Sequence, residues 1–154
     1  MTWSERLKEL GIELPAVAAP VASYVPAVQT GNLVYTSGQL PFHQGGLAVA
    51  GKVCEGAEGV VKPDVATKAA RQCILNALAA VDSLVGIDSI KRIVKVTGFV
   101  ASAVGFTGQP QVINGASDLL DEIFGEAGKH ARSAVGVAEL PLGAPVEVEL
   151  IVEI

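Results

Sequence analysis

The C-terminal end of the chain shows a strand-like alternation of side chains. Residues 146–153, VEVELIVE, place aliphatic residues on one side and mostly acids, including Glu147, on the other. Successive side chains of a strand point to opposite faces, so this pattern is typical of a strand with one buried face. Residues 132–138 precede it across a Pro/Gly turn. We therefore predict two strands paired as an antiparallel hairpin, with residue 139 opposite residue 146.

Two longer stretches follow the period of an α-helix. Apolar residues recur every three or four positions within residues 63–85 and within residues 109–124. Each stretch has a proline at its start, where a helix tolerates it, and is followed by a glycine, Gly86 or Gly125. The pattern therefore predicts two amphipathic helices, each with one broad apolar side.

The N-terminal residues follow a different pattern from the rest of the chain. A capping box that begins at Thr2 and a stripe of apolar positions predict a short helix over residues 2–10. The Pro/Ala-rich residues 15–20 are expected to be extended. We therefore divide the chain into an N-terminal extension, residues 1–19, and a single domain, residues 20–154.

The remaining apolar runs predict further strands and one long loop. Residues 23–29 and 33–40 are expected to be strands joined by a turn at Gly31-Asn32. The glycine-rich residues 42–63 favour a loop, and residues 90–101 favour a strand in the centre of the sheet. The predicted order is β-β-α-β-α-β-β, an α+β fold with a mixed β-sheet and two helices packed on one face.

Charge and composition argue against several classes of function. The chain has 154 residues and a net charge of −5. Nucleic-acid phosphates attract Lys and Arg, so this balance argues against a nucleic-acid partner. Cys54, Cys73 and the two histidines show no metal-ligand spacing, so we expect no metal site and reduced cysteines. The apolar N-terminal run is broken by prolines, so no membrane helix is expected and a cytoplasmic location is predicted.

Arg132 is the first candidate binding residue. The alternation places Arg132 on the same strand face as Ala134 and Gly136, where small side chains leave room for a carboxylate beside the cation. Two helices cover only one face of the sheet, so we expect the face with Arg132 to meet solvent or another subunit. In the predicted hairpin, Arg132 and Glu147 lie about 20 Å apart, which favours a cleft shared between subunits.

Several short motifs, taken together, resemble those of a known family. They are Tyr24, GN at 31–32, SGQLP at 37–41, KVTGFV at 95–100, Asn114, ARSAV at 131–135 and LPLGAPVEVE at 140–149. The combination is similar to the Rid family, also called the YjgF/YER057c/UK114 family, over residues 20–154. This resemblance implies a chorismate-mutase-like fold and a homotrimer with clefts between its subunits.

The resemblance also implies an activity and the residues that carry it. The well-studied branch of the family hydrolyses enamines and imines such as 2-aminoacrylate to 2-oxo acids and ammonia, without a cofactor. By this resemblance, Arg132 holds the substrate carboxylate, Glu147 activates the attacking water, and the backbone carbonyl of Ala134 accepts a hydrogen bond from the substrate nitrogen. The other implied substrate-binding residues are Tyr24, Ser37, Gly38 and Asn114.

The chain also departs from this branch, and two other functions stay open. Its N-terminal extension and its loop at residues 42–63 are longer, and Ser117 stands where an aromatic residue usually follows Asn114 by one helical turn. His130 is expected to be structural. One alternative is a non-enzymatic trimer that binds small carboxylates as a sensor or partner protein. The other is an endoribonuclease, against which the net charge of −5 argues.

Overall fold

The computed structural model describes residues 1–17, 23–56 and 60–154. Within them, the α-helices are Trp3–Glu9 (α1), Pro63–Val85 (α2) and Gln109–Phe124 (α3). The strands are Ala27–Thr30 (β1), Leu33–Thr36 (β2), Phe42–His43 (β3), Gly46–Leu47 (β4), Arg92–Ala101 (β5), Ala131–Val137 (β6) and Val146–Glu153 (β7). The predicted boundary between residues 19 and 20 lies outside the described residues, as does part of the segment predicted to be extended.

Five of the strands form one mixed sheet in the order β1-β2-β7-β5-β6. Strands β5 and β6 are parallel, whereas the other neighbouring pairs are antiparallel. Helices α2 and α3 pack against each other and contact β7 and β5, respectively. The predicted α+β fold with two helices on one face of a mixed sheet is therefore confirmed.

Close packing between the helices and the sheet depends on two glycines. A Cβ atom added to Gly98 of β5 would lie 2.5 Å from Cδ1 of Ile113 on α3, so only glycine lets the helix approach this strand. A Cβ atom at Gly115 would collide with the backbone carbonyl of Thr67 on α2. The two helices thus approach each other and the sheet over a core whose largest side chains, including Ile74, are fully buried.

Most of the predicted elements are present, and their ends differ by a few residues. The capping box at Thr2 is formed, and the turn at Gly31-Asn32 joins β1 to β2 with Thr30 opposite Leu33. Strand β1 begins later than predicted, at Ala27, because Pro26 has no N–H group to donate to a strand partner. The predicted loop at residues 42–63 contains the small β3–β4 hairpin, and part of this loop lies outside the described residues.

The prediction of a C-terminal hairpin is wrong, because β6 and β7 are not neighbours. Strand β5 lies between them and pairs with both. A β-α-β connection through α3 places β6 parallel to β5 on one side, and β7 fills the gap between β5 and β2 on the other. Alternation along a strand shows which of its faces is buried, but it does not show which strand lies beside it.

The expected exposure of the face with Arg132 is also wrong. Arg132 is opposite Val96 and Ala134 is opposite Gly98, and both of these β5 residues face the helices. Arg132 therefore lies on the helix side of the sheet, where its side chain reaches α3. The open face of β6 instead carries Ser133 and the exposed Val135.

Helix α1 is held against the domain by specific contacts. Trp3 donates a hydrogen bond from Nε1 to the Ile90 carbonyl at 2.7 Å, and its ring packs edge-on against Phe124 with centroids 4.9 Å apart. The backbone N–H and the hydroxyl of Ser4 both donate to the carboxylate of Asp88. Among the helices that the structure describes, none has the length and apolar character needed to cross a membrane.

Candidate functional site

Arg132 is fixed at the edge of the sheet by two side chains of α3. Its Nη1 atom donates to Oδ1 of Asn114 at 2.7 Å and to Oγ of Ser117 at 3.2 Å. Asn114 and Ser117 are three residues apart on the helix, so their side chains lie on the same face. The guanidinium group is half-buried, and its partners among the described residues are neutral rather than acidic. Its positive charge therefore stays available for an anionic ligand.

A second layer of hydrogen bonds stands behind Arg132. Ser117 Oγ lies 2.9 Å from Nε2 of His130, and Nδ1 of the same ring lies 2.6 Å from the carbonyl oxygen of Gly128. The carbonyl accepts only, so Nδ1 carries a proton and donates to it. Strand β6 begins directly after His130, so the ring and Arg132 approach α3 from the same stretch of chain.

Ala134 lies two residues after Arg132 on the same face of β6. Because β6 is the last strand of the sheet order, its outer side has no strand partner among the described residues. An edge strand presents backbone N–H and carbonyl groups that a ligand or another chain can bind. Arg132, Asn114 and Ala134 therefore lie together at this edge. We call these three residues, with Ser117 and His130, the arginine cluster.

Glu147 belongs to a different cluster, at the β2–β7 side of the sheet. The pocket beside it is lined by Ala16, Val17, Tyr24, Gly38, Phe42, Asn76 and Glu147, among others. A Cβ atom added to Gly38 would lie 2.9 Å from Cδ of Glu147, so the carboxylate packs directly on the glycine backbone. We call this group the glutamate pocket. Tyr24 and Gly38 were both predicted from the sequence to line the site with Glu147, and both lie in this pocket.

The carboxylate of Glu147 is tuned by its surroundings. Partial burial raises the pKa of Glu147 above its ordinary value, and the negative charge of nearby Glu149 raises it further. A carboxyl group with a raised pKa is a better proton acceptor and donor near neutral pH. Glu147 is therefore suited to acid–base chemistry as well as to holding a polar ligand atom.

Ser37 lies next to this pocket, but its hydroxyl is used inside the chain. Oγ of Ser37 donates to the carbonyl of Val25 at 2.6 Å, which ties the segment before β1 to the end of β2. Tyr24 lies just beyond this tie and is 54% exposed. Ser37 thus helps to place Tyr24 at the mouth of the pocket.

The two clusters are too far apart to meet on one small ligand within one chain. Arg132 is opposite Val96 and Glu147 is opposite Phe99, so they are separated by two strand spacings and three residues along β5, about 14 Å. They also lie on opposite faces of the sheet. The distance of about 20 Å between Arg132 and Glu147 expected from the hairpin is therefore too long. The two residues are nevertheless separated, because they lie on different strands and on opposite faces of the sheet.

The sequence pattern does not reveal the places of three residues of these clusters. Ser117 stands out in the sequence only as a departure from the family pattern and His130 is expected to be structural, and the structure places both in the arginine cluster. Asn76 belongs to no motif, and it donates to the carbonyls of Leu40 and Phe42 at 3.0 Å each and shapes the glutamate pocket. A polar side chain within the alanine-rich apolar stripe of α2 was the signal for it.

Comparison with known proteins places this arrangement in a family. Residues 4–154 match the family described as "YjgF/chorismate_mutase-like, putative endoribonuclease". Protein TCP17 of Trypanosoma cruzi is 47% identical over 96% of this chain and 91% of its own length. A 2-iminobutanoate/2-iminopropanoate deaminase of Dermatophagoides farinae is 34% identical over 93% and 94%. The crystal structure of Atu1372, a protein of unknown function from Agrobacterium tumefaciens, is 46% identical with a TM-score of 0.85, over 99% of this chain and 92% of that one. The chain therefore belongs to the YjgF/chorismate mutase-like family, as its motifs indicated.

Proposed function

We propose that this protein is an enamine/imine deaminase that hydrolyses 2-aminoacrylate-type intermediates to 2-oxo acids and ammonia. The observation that carries the proposal is the half-buried Arg132, whose Nη1 is held by Asn114 and Ser117 while its charge is left without an acidic partner among the described residues. Such a cation is suited to a small carboxylate. The relative from Dermatophagoides farinae, named a 2-iminobutanoate/2-iminopropanoate deaminase, supports the same substrate class.

The proposed reaction needs one group that moves protons. Glu147 holds a water molecule and accepts a proton from it as the oxygen adds to the carbon of the N-protonated imine, whose C=N electron pair moves to nitrogen. Glu147 then gives this proton to the amino group of the resulting carbinolamine. The C–N bond breaks and ammonia leaves, while the hydroxyl oxygen forms the carbonyl and its proton passes to Glu147 and from there to ammonia. The raised pKa of Glu147 suits both steps near neutral pH. The proposed roles of the other residues are based on their positions in the two clusters. The backbone carbonyl of Ala134 accepts a hydrogen bond from the substrate nitrogen. The residues that bind or enclose the substrate are Tyr24, Ser37, Gly38 and Asn114.

We further propose that the site is assembled between subunits of a homotrimer. The arginine cluster and the glutamate pocket lie about 14 Å apart on opposite faces of one sheet, so one chain supplies half of the cleft and its neighbour the other half. The open face carries exposed apolar side chains, such as Tyr35 and Val135, that a neighbouring chain would cover. Light scattering should give three times the chain mass of 15.8 kDa, and a monomer would contradict the shared cleft.

The test of the reaction is the decay of 2-iminopropanoate, generated in the cuvette from serine by a dehydratase. The wild-type protein should accelerate the loss of the enamine/imine signal, and Arg132→Ala should abolish the acceleration. Arg71→Ala is the matched control, because Arg71 is an arginine of α2 whose carboxylate contact, to Glu122, is a loose one of 3.8 Å between half-exposed groups. Equal acceleration by wild type and Arg132→Ala would contradict the assignment of Arg132.

The same assay separates the two alternatives. A non-enzymatic trimer would bind 2-oxobutanoate through Arg132 without accelerating imine loss. An endoribonuclease would cleave RNA added in a parallel reaction, against the net charge of −5. The proposed site of action is the cytoplasm, which fractionation of the cells that make the protein can test.

A further inference from the structure

With the His130 ring neutral, the hydrogen bonds behind Arg132 all run in one direction. The Gly128 carbonyl accepts from Nδ1 of His130, at 2.6 Å. In the neutral ring Nε2 is then an acceptor, so the Ser117 hydroxyl donates to it across 2.9 Å. The oxygen of Ser117 is left to accept from Nη1 of Arg132, at 3.2 Å. The chain of bonds from a fixed backbone carbonyl to the guanidinium group is therefore polarised throughout.

These contacts are unusual for a serine in the middle of a helix. Such a hydroxyl commonly bonds back to a carbonyl one turn earlier in its own helix. Among the described residues, the two contacts of Ser117 Oγ are both made outside α3, to His130 and Arg132. Ser117, His130 and Arg132 are all partly buried. The hydroxyl thus acts as a connection between two elements rather than as a local helix contact.

The arrangement also determines which edge of the guanidinium group is available. Nη1 has two hydrogens and two acceptors, Oδ1 of Asn114 and Oγ of Ser117. The remaining three N–H bonds of Arg132 belong to Nε and Nη2, and the Nε–H bond and one N–H bond of Nη2 point in parallel along one edge of the planar group. A carboxylate that binds with both oxygens therefore has the Nε–Nη2 edge as its matching surface.

We propose that Ser117 and His130 are positioning residues that hold Arg132 so that its Nε–Nη2 edge faces the substrate carboxylate. The ligand part of this inference rests on the proposed function, since it takes the anion to be a 2-oxo or 2-imino acid. Ser117 and His130 act through Arg132 and contact no substrate atom themselves. In this chain a serine and a histidine do the work of orienting the cation.

The positioning is tested first without any ligand, by NMR of the Arg132 side chain. Hindered rotation of the guanidinium group should keep its Nη hydrogens in slow exchange in the wild type. Ser117→Ala should raise the rotation rate about tenfold, because a hydrogen bond to a charged group is lost. Ser117→Thr keeps the hydroxyl and should restore slow exchange, and His130→Phe should show an intermediate rate. A rotation rate of Arg132 that is the same in Ser117→Ala and wild type would overturn the proposal.

Ligand measurements then show what the positioning does. Ser117→Ala should raise KM for the imine about tenfold while kcat changes by less than about twofold, since the arginine holds the carboxylate and does not move protons. Ser83→Ala, at an exposed serine in the last turn of α2, should change neither. The decisive comparison is Ser117→Ala in an Arg132→Lys background, where a residue that acts through the guanidinium should have no further effect on KM. A full additional effect there would also overturn the proposal.

The two proposals fail separately. If the wild type does not hydrolyse imines but the rotation rate responds to Ser117→Ala, the deaminase function is wrong and the positioning stands. In that case the Kd for 2-oxobutanoate, read from the Arg132 signals, takes the place of KM and should rise about tenfold in Ser117→Ala. An unchanged Kd would mean that positioning of Arg132 has no role in carboxylate binding.

Discussion

The arginine cluster and the glutamate pocket are built on opposite principles. In the arginine cluster, side chains of α3 and β6 meet through hydrogen bonds, and each donor of Nη1 has a partner, Asn114 or Ser117. In the glutamate pocket, the carboxylate of Glu147 packs on the backbone of Gly38 and is partly withdrawn from water. The positive charge of Arg132 is held in a fixed orientation by hydrogen bonds, whereas the negatively charged form of Glu147 is disfavoured by partial burial.

The difference suggests a division of labour. A hydrogen-bonded cation whose partners among the described residues are neutral keeps a constant charge and recognises shape, which suits binding. A carboxylate whose pKa is raised by burial exchanges protons more readily, which suits the chemical step. If the comparison holds, changes in the arginine cluster should appear in ligand affinity, and changes in the glutamate pocket should appear in turnover.

Glu147→Gln should show the largest difference between an effect on turnover and an effect on ligand affinity. The amide keeps the size of the side chain but accepts no proton, so kcat should fall about a hundredfold or more. The Kd for 2-oxobutanoate should stay within about twofold of the wild type, because Arg132 is unchanged. Stopped assays of turnover and calorimetric titration of the product measure the two effects. Glu153→Gln, near the far end of the same strand, is the control; a matching loss of affinity in Glu147→Gln would break the comparison.

Mixing the two defects tests whether the clusters belong to one cleft. Arg132→Ala and Glu147→Gln chains, coexpressed with different tags, should form trimers in which some clefts take an intact Arg132 from one chain and an intact Glu147 from its neighbour. Random assembly gives about a quarter of the clefts both groups, so activity should recover to about a quarter of the wild-type value. Recovery absent from purified mixed trimers would mean that both residues act within a single chain.

Gly38→Ala should disturb the glutamate pocket alone. The added Cβ atom would lie 2.9 Å from Cδ and 3.3 Å from Cγ of Glu147, so the carboxylate must shift. A displacement of this size should lower kcat about tenfold, with little change in carboxylate affinity. Gly46→Ala is the matched control, because a Cβ atom there meets nothing within 4 Å. If affinity falls in Gly38→Ala and kcat does not, the division between binding and chemistry is wrong.

The sequence predicts the secondary structure of this protein better than it predicts the arrangement of the site. The periodic spacing of apolar residues correctly predicts α2, α3 and β7, because burial of one face of an element imposes this spacing on the sequence. The neighbours of β6 and β7 could not be derived in this way. Both strands satisfy the same alternation whether they pair with each other or with β5, and the crossover through α3 decides between the two arrangements.

The prediction that Arg132 lies on the open face of the sheet is wrong for a related reason. A half-buried arginine on the helix side of a sheet needs polar partners, and these come from α3, eighteen and fifteen residues earlier in the chain. Asn114 and Ser117 are spaced for one helix face, but nothing in that spacing shows that the face meets β6 rather than solvent. The motifs identified Arg132 and Glu147 as candidates, whereas their distribution over two faces came from the sheet order.

The pH dependence of stability offers the smallest and last test of the comparison. Because the pKa of Glu147 is raised in the folded protein, the folded state holds this proton more tightly than the unfolded chain does. The resulting stabilisation is present at low pH and is lost as the pH rises through the raised pKa. Glu147→Gln removes the loss, so the variant should gain stability relative to wild type between about pH 4 and pH 7, by less than about 1 kcal/mol because water screens a half-exposed group. Thermal melts of Glu147→Gln and the wild type at both pH values measure this difference in stability. If the advantage of the variant instead shrinks as the pH rises, the folded protein stabilises the charged form of Glu147. Such a carboxylate would be suited to binding rather than to proton transfer.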